Sequence, residues 1–307
     1  MDKTPGLQYY VPKEHLSVSS LCSFARCERL FFYQSGCKFR PLHEHIALTY
    51  GTAIHEAMPF AIRGDEVKAM VAFLNVWKDG DLEDDPKRNS GRANAIINEV
   101  ILQHADPLYT PIAPPLSKFE IDATVTQDEV PFSLDIGAHV PFVGKIDATG
   151  RHRDTNGVYA VEYKTTSRMG SMFLGCFNYN PQCIAYALAL TMMMEDESVD
   201  GAIVEALGVA KTSAKVALHI VNIREQQLEE FINWVLRQSA RIQRCEETGV
   251  WQKDCSACTS YPQHGMAGFE CKFKDFCLVS DWTALVDTMK ISTYDLFGTT
   301  KKEPCDE

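Results

Sequence analysis

Leu21, Phe24 and Ala25, then Phe31 and Phe32, recur at helical spacing behind the polar run Ser17-Val-Ser-Ser20. That pattern predicts a helix within residues 15–35, capped by Ser17, Ser19 or Ser20. Further helices are expected through Gly51–Met58, through 65–78, and near 92–104. The second of these has an apolar face of Val67, Met70, Val71, Phe73 and Leu74, and a polar break at 79–92 follows it. A proline-rich stretch, 107–116, closes this helical part. From Lys118 to Val125 apolar and polar residues alternate with period two, which starts a sheet. More strands are expected at 130–137, 140–149 and 157–165, the last two joined by a polar loop ending in Asn156-Gly157. A helix at 180–195, strands at 200–209 and 215–223, and a long helix at 225–247 complete the pattern. No internal repeat interrupts it, and the tail from Thr299 onward is charged and expected to fray.

The chain has 307 residues, enough for one large domain or one domain with a helical elaboration; the second is expected. Its 45% hydrophobic and 23% charged residues suit a globular protein, and no apolar run approaches the roughly 20 residues that span a bilayer. The start, Met1-Asp-Lys-Thr-Pro-Gly, lacks the basic flank and apolar stretch of a signal peptide, so the expected location is cytoplasmic, with no membrane partner. Eleven cysteines in a reducing compartment are then thiols, and metal ligation explains those that cluster. A formal net charge of −11 excludes a protein that coats nucleic acid by bulk positive charge. It leaves room for one that meets a polyanion through bound divalent ions and a local basic groove.

The candidate chemistry lies in the hairpin. On a strand, Glu162 and Lys164 share a face while Tyr163 points away. Asp147 stands about as far before the turn as Glu162 stands after it, so the three polar groups can converge. Two carboxylates can hold a hard divalent ion, and a lysine can orient water or stabilise charge on a phosphate. The bland alternative is a surface hairpin with an ordinary Glu/Lys pair. The apolar flanks Phe142-Val143 and Val158–Val161 argue against it, because they set the charges on buried strands, where ionised groups are costly.

In these motifs the chain resembles the PD-(D/E)XK nuclease superfamily, in its RecB-like branch, which includes phage and CRISPR-associated exonucleases. The branch pattern G-x-x-D, D/E-x-K, Q-x-x-x-Y is matched in order by Gly144-Lys-Ile-Asp147, Glu162-Tyr-Lys164 and Gln182-Cys-Ile-Ala-Tyr186. The resemblance implies that Asp147, Glu162 and the backbone carbonyl of Tyr163 bind magnesium or manganese. It also implies that Lys164 is catalytic and that Gln182 and Tyr186 face DNA. Gly51-Thr-Ala-Ile-His55 matches an upstream G-x-x-x-H helix and makes His55 a further metal ligand. Cys27, Cys258, Cys271 and Cys277 match the branch's cluster cysteines, which implies a [4Fe–4S] cluster tying the two ends of the chain; spacing alone suits zinc equally. Glu28 stands where the branch has proline, the gap from Cys258 to Cys271 is long, and Cys255 and Cys22 are alternative ligands.

The resemblance implies an α/β fold: a restriction-endonuclease-like core with a central mixed β-sheet flanked by helices, an N-terminal helical insertion and a C-terminal Fe–S segment. The expected divisions are 1–116 (helical, with Cys27 and His55), 117–250 (nuclease core), 251–280 (cluster segment) and 281–307 (helix and charged tail). The implied activity is metal-dependent DNA hydrolysis, exonucleolytic on single strands or duplex ends, in replication, recombination or repair. A helicase or recombination partner, or self-assembly, would accompany it. The alternative is a non-catalytic DNA-binding scaffold with a nuclease-like core. Arg237, Arg241 and Arg244, on one helix face, and Phe173, Phe177 and Tyr179 are further candidates for nucleic-acid contact.

Overall fold

The computed structural model describes residues 3–42, 45–78, 87–105, 109–111, 129–194, 197–210, 213–258, 271–279 and 282–292. Ser17 caps α1 (Val18–Arg26) in a reciprocal box: Ser20 N donates to Ser17 Oγ at 3.4 Å and Ser17 N to Ser20 Oγ at 3.0 Å. The single helix expected here breaks at Cys27, whose extended backbone (φ −166°) separates α1 from α2 (Glu28–Phe31). A π turn at Phe32–Gly36 then leads to β1 (Phe39–Pro41). Next come α3 (Ile46–Ala61), α4 (Glu66–Val76) and α5 (Ser90–Ala105), close to their expected positions. In α4 the expected apolar face is only partly the buried one: Phe73 is buried and Met70 packs against the core. Ala69, Phe73 and the following Trp77 are buried, while Val67, Val71 and Leu74 are exposed.

After β2 (Tyr109–Pro111), the strand expected at 118–125 lies outside the described residues. β3 (Val130–Leu134) pairs with β4 (Phe142–Ile146), and β5 (Ala148–His152) follows directly, so the strand expected at 140–149 is broken at Asp147. Then come β6 (Val158–Thr166), α6 (Ser171–Gly175), a 3₁₀ turn at Cys176–Tyr179, α7 (Pro181–Met193), β7 (Val199–Val209), β8 (Ala214–Asn222) and α8 (Glu225–Thr248). α9 (Cys255–Cys258) and α10 (Lys274–Leu278) are single turns. Where a C-terminal helix was expected, a 3₁₀ segment at Thr283–Thr288 runs into β9 (Met289–Ile291). Residues 293–307, with the whole of the expected charged tail from Thr299, lie outside the described residues.

The fold divides into two compact units. One comprises residues 44–132 and 145–229. Its five-stranded sheet has the order β2-β5-β6-β7-β8, antiparallel throughout except for the parallel β6–β7 pair. A parallel pair needs a crossover, and α6 with α7 supplies it. Tyr159, Val161 and Tyr163 of β6, with Ile203, Leu207 and Val209 of β7, form one core with α3, α4 and α5. Inside that core the ring of Tyr50 meets Trp77 edge-on at 4.9 Å and Phe73 at 5.5 Å. Truncating a fully buried phenylalanine such as Phe73 to alanine costs about 3–5 kcal/mol. Alternation sends Ala160, Glu162 and Lys164 to the opposite face of β6, which α7 covers.

The other unit comprises residues 1–43, 133–144 and 230–307, with an aromatic core. Trp251 stacks on Phe31 at 5.7 Å and 20°, and Trp282 packs edge-on against Tyr33 at 5.2 Å. β1 and β9 pair antiparallel, Phe39 opposite Ile291, so this unit joins early and late residues of the chain.

Candidate active site

Asp147 occupies the break between β4 and β5, where no ladder claims its side chain. Its Oδ2 accepts from the backbone N–H of Tyr163 at 2.9 Å, which pins the carboxylate against β6 beside Glu162. His55, one turn beyond Gly51 on α3, brings Nδ1 to 3.6 Å from the same Oδ2, and its ring lies edge-on to Tyr163 at 6.0 Å. From the other face, Glu162 pairs through Oε1 with Lys164 Nζ. Its Oε2 accepts from Gln182 Nε2 at 3.0 Å. Gln182 sits in the first turn of α7, where Asn180 Oδ1 caps its backbone N–H at 2.8 Å and Pro181 begins the helix. One turn on, the Tyr186 hydroxyl accepts from the same Gln182 Nε2 at 2.8 Å. Asp147, Glu162, Lys164, His55, Gln182, Tyr186 and the Tyr163 backbone, expected to work together, are therefore brought together in one unit. Tyr186 is buried, its ring edge-on to Phe132 at 6.2 Å, whereas Gln182 is half-exposed.

Glu162 is 1% exposed. Burial, then the neighbouring Asp147 carboxylate, push its carboxyl up to about 8, with Lys164 opposing. Burial lowers Lys164, but Glu162, with Asp147 and Cys183 adding to it, raises the ammonium above its ordinary value on balance. Lys164 therefore stays charged. Burial, then Glu162, put the Tyr186 phenol well above its usual range, so it remains a neutral hydrogen-bonding group.

A carboxyl pushed up to about 8 chiefly by burial, with a second carboxylate beside it, is a donor set that a hard divalent cation would relieve. Among the described residues no group of three or more His, Cys, Asp or Glu side chains is already drawn into a cation cage. A magnesium-type ion fits without one, because it keeps several waters and uses one or two carboxylates. Asp147 and Glu162 meet that requirement.

The four cysteines lie in the other unit. Cys27 ends α1, and its Sγ accepts from Asp254 N–H at 3.5 Å. Cys258 closes α9, and its carbonyl accepts from Cys271 N–H at 3.3 Å. Cys277 lies in α10, where burial pushes its thiol up to about 11; Lys253 opposes that rise, while Cys258 and Cys27 reinforce it. Among the described residues, which include all four, no group of three or more His, Cys, Asp or Glu side chains could hold a metal ion, so the expected cluster site is not seen assembled here. Nothing is described of the Cys255 side chain.

Other candidates have structural uses. Arg241 pairs with Glu28 at 2.9 Å and lies over the Phe24 ring at 5.1 Å, and Phe173 packs edge-on against Phe177 at 5.2 Å. Tyr179 remains 82% exposed. Two features carried no sequence signal. One is a buried pair on the opposite sheet face, with His104 Nε2 at 3.3 Å from both oxygens of Glu205. The other is Arg29, buried beside the cysteines.

No curated protein matches the chain. Among solved structures it is similar to a candidate exonuclease from Eubacterium rectale, at 15% identity and a TM-score of 0.45, over 84% of this chain and 92% of that one. It is also similar to the protein SSO0001, at 10% identity and a TM-score of 0.29, over 76% and 78% of the two chains. Neither likeness is close enough to carry weight. The family model of the PD-(D/E)XK nuclease superfamily matches residues 15–262 and so spans both the carboxylate–lysine motifs and Cys27. With that match over most of its length, the chain belongs to the PD-(D/E)XK nuclease superfamily.

Proposed function

We propose that the protein is a magnesium- or manganese-dependent deoxyribonuclease that trims single-stranded DNA or duplex ends. The observation that carries this reading is the meeting of Asp147, buried Glu162 and Lys164 at the central strand β6, with family membership behind it. Asp147 and Glu162 would hold the ion, with His55 and the Tyr163 carbonyl as further ligands. A bound ion supplies Lewis acidity and a water of lowered pKa. Lys164, charged and one-third exposed, donates to a phosphate oxygen or orients the attacking water. Gln182 fixes the second oxygen of Glu162, and Tyr186 holds Gln182 in turn, so Tyr186 acts as a positioning residue while Gln182 also presents toward DNA. Tyr179, three residues before Gln182 and exposed, offers a base-stacking surface. Cys27, Cys258, Cys271 and Cys277 would hold a [4Fe–4S] cluster, or zinc in the alternative, with a structural role.

The test is digestion of end-labelled single-stranded DNA with magnesium or manganese, comparing wild type with Glu162→Ala and Lys164→Ala. Both variants should lose at least ~10³-fold in rate with an unchanged circular dichroism spectrum. The label released first gives the polarity. Full activity in either variant would reject the site, and an inactive, folded, metal-loaded wild type would favour a DNA-binding scaffold.

A further inference from the structure

Among the described residues of this acidic chain, four cations gather around the short sheet of the aromatic unit. β1 and β9 pair antiparallel with Arg40 directly opposite Lys290. Their neighbour Phe39 is fully buried, edge-on to Trp282 at 6.0 Å, so alternation sends Arg40 and Lys290 to the outer face of the pair. Like charges directly opposite on neighbouring strands destabilise the pairing. Two more cations stand beside them. Lys38, exposed, precedes β1, and its carbonyl accepts from Ser292 N–H at 2.9 Å just past β9. Lys13 arrives on another segment: Val11 N–H donates to the Gly36 carbonyl at 3.3 Å, and Lys13 and Lys38 each lie two residues beyond that bond.

Within the protein alone this arrangement is unfavourable. Lys38 has a left-handed backbone (φ 57°), where glycine or asparagine fits at less cost than lysine. Burial, then Lys38, then Arg40 hold the Lys13 ammonium below its ordinary value, and neighbouring Glu14 opposes them without cancelling. Among the described residues neither Lys13 nor Lys38 has an ion pair with a carboxylate. Arg40 is already oriented, one terminal nitrogen donating to the carbonyls of Gln34 at 2.5 Å and Phe39 at 2.9 Å. Cations held together against their mutual repulsion form a receptor for an anion, since one negative charge among them relieves several repulsions at once. In a chain of net charge −11 such a cluster is a local exception to the rest of the molecule.

We infer that Lys13, Lys38, Arg40 and Lys290 form a docking site for the phosphodiester backbone of nucleic acid, which captures substrate by charge, without reading its sequence and without a divalent ion. The inference rests on the nuclease reading for the identity of the polyanion. Phosphate contacts fix position and carry no sequence information. The cluster belongs to the unit without Asp147 and Glu162, so a chelator separates its contribution from theirs.

The experiment follows the fluorescence anisotropy of a labelled single-stranded oligonucleotide in chelator as salt rises from about 20 to 150 mM, using the whole protein and its variants. Lys38→Gln/Lys290→Gln removes two charges of the cluster, and Lys38→Arg/Lys290→Arg keeps them. Lys68→Gln/Lys78→Gln removes two exposed charges on and just after α4 instead. Each phosphate contact on a single strand adds about 0.7 to the slope of log affinity against log salt. Lys38→Gln/Lys290→Gln should therefore flatten the slope by about 1.4 and weaken binding at least ~10-fold at the lowest salt. Lys13→Gln, on its separate segment, should flatten it by about 0.7. The arginine pair and the α4 pair should stay within about two-fold of wild type with the same slope. Thermal midpoints check folding, and relief of repulsion should leave Lys38→Gln/Lys290→Gln at or above wild type. An unchanged slope and affinity in the folded cluster variants would overturn the inference, as would an equal loss in the α4 pair, the mark of bulk charge alone. Weaker binding of Lys38→Gln/Lys290→Gln to phosphatidylserine vesicles with oligonucleotide binding intact would also overturn it, in favour of a membrane surface. A wild type that neither binds the oligonucleotide at low salt nor cleaves DNA with magnesium would remove the nuclease reading and the inference with it, whereas a cleaving wild type whose cluster variants bind equally well would remove the inference alone.

Discussion

Glu162 shows how one buried carboxylate couples stability to the candidate chemistry. In the metal-free protein its folded-state pKa, about 8, stands above the ordinary value of 4.5. The folded state therefore binds that proton more tightly than the unfolded state between those values. The stability linked to this group is full below about pH 4.5 and is lost as pH rises through 8. Glu162→Gln removes the ionisation while leaving an amide near Gln182, so the metal-free variant should gain on wild type as pH rises. Thermal melts in a chelator should show similar midpoints near pH 4.5 and a higher midpoint for Glu162→Gln at pH 9. A difference independent of pH would mean that the carboxylate is not forced to ionise in a buried place. The same substitution should abolish cleavage, so this position would trade stability for activity.

The elements that deliver these side chains have their own constraints, and α3 is the clearest. A Cβ built on Gly51 would stand 3.2 Å from Thr165 Oγ1, so the helix passes close to β6 at that point. His55 lies one turn further along α3, above Asp147. The glycine of the G-x-x-x-H motif thus has a physical reason: it lets the helix approach the sheet so that the histidine reaches the carboxylate. Gly51→Ala asks Thr165 to yield by a few tenths of an ångström. Gly51→Val demands more and should lift α3, slowing magnesium-dependent cleavage at least ~10-fold while helix content is retained. Unchanged kinetics in Gly51→Val would show that the close approach is dispensable. The elements also mark how far local pattern could be read. Alternation made the shared face of Glu162 and Lys164 legible, since it depends only on neighbouring residues. The contact of Gln182 with Glu162 was not legible, because it arises when the parallel β6–β7 crossover folds α7 back over that face. In α4 the expected face was met by Phe73 and Met70 but not by the exposed Val67, Val71 and Leu74, because the pattern registers hydrophobicity and not which side a neighbouring helix covers.

For the whole molecule, the motif order was legible and its electrostatic setting only partly so. Cys27 and Cys277 are 250 positions apart in the sequence and fall in one unit. Arg29 was not foretold, since burial of a charge is decided by packing from distant segments. Net charge raises the remaining question. A chain at −11 repels a polyanion at long range, so attraction must come from local features and from bound cations. Sequence-independent DNA binding by cationic proteins typically has a dissociation constant of ~10⁻⁴–10⁻⁶ M at physiological salt. For this acidic chain without divalent ions, the expected affinity lies at or beyond the weak end of that range. Calcium, a poor substitute for magnesium in phosphodiester hydrolysis, should occupy the carboxylates and tighten binding of a single-stranded oligonucleotide at least ~10-fold without cleaving it. Asp147→Asn removes one of the two carboxylates and should erase most of that gain while leaving the chelator baseline unchanged. Fluorescence anisotropy with a labelled oligonucleotide, in chelator and then in calcium, measures both. Tight binding in chelator, or a calcium gain that survives Asp147→Asn, would place the DNA attraction elsewhere on the protein and uncouple substrate capture from the ion at Asp147 and Glu162.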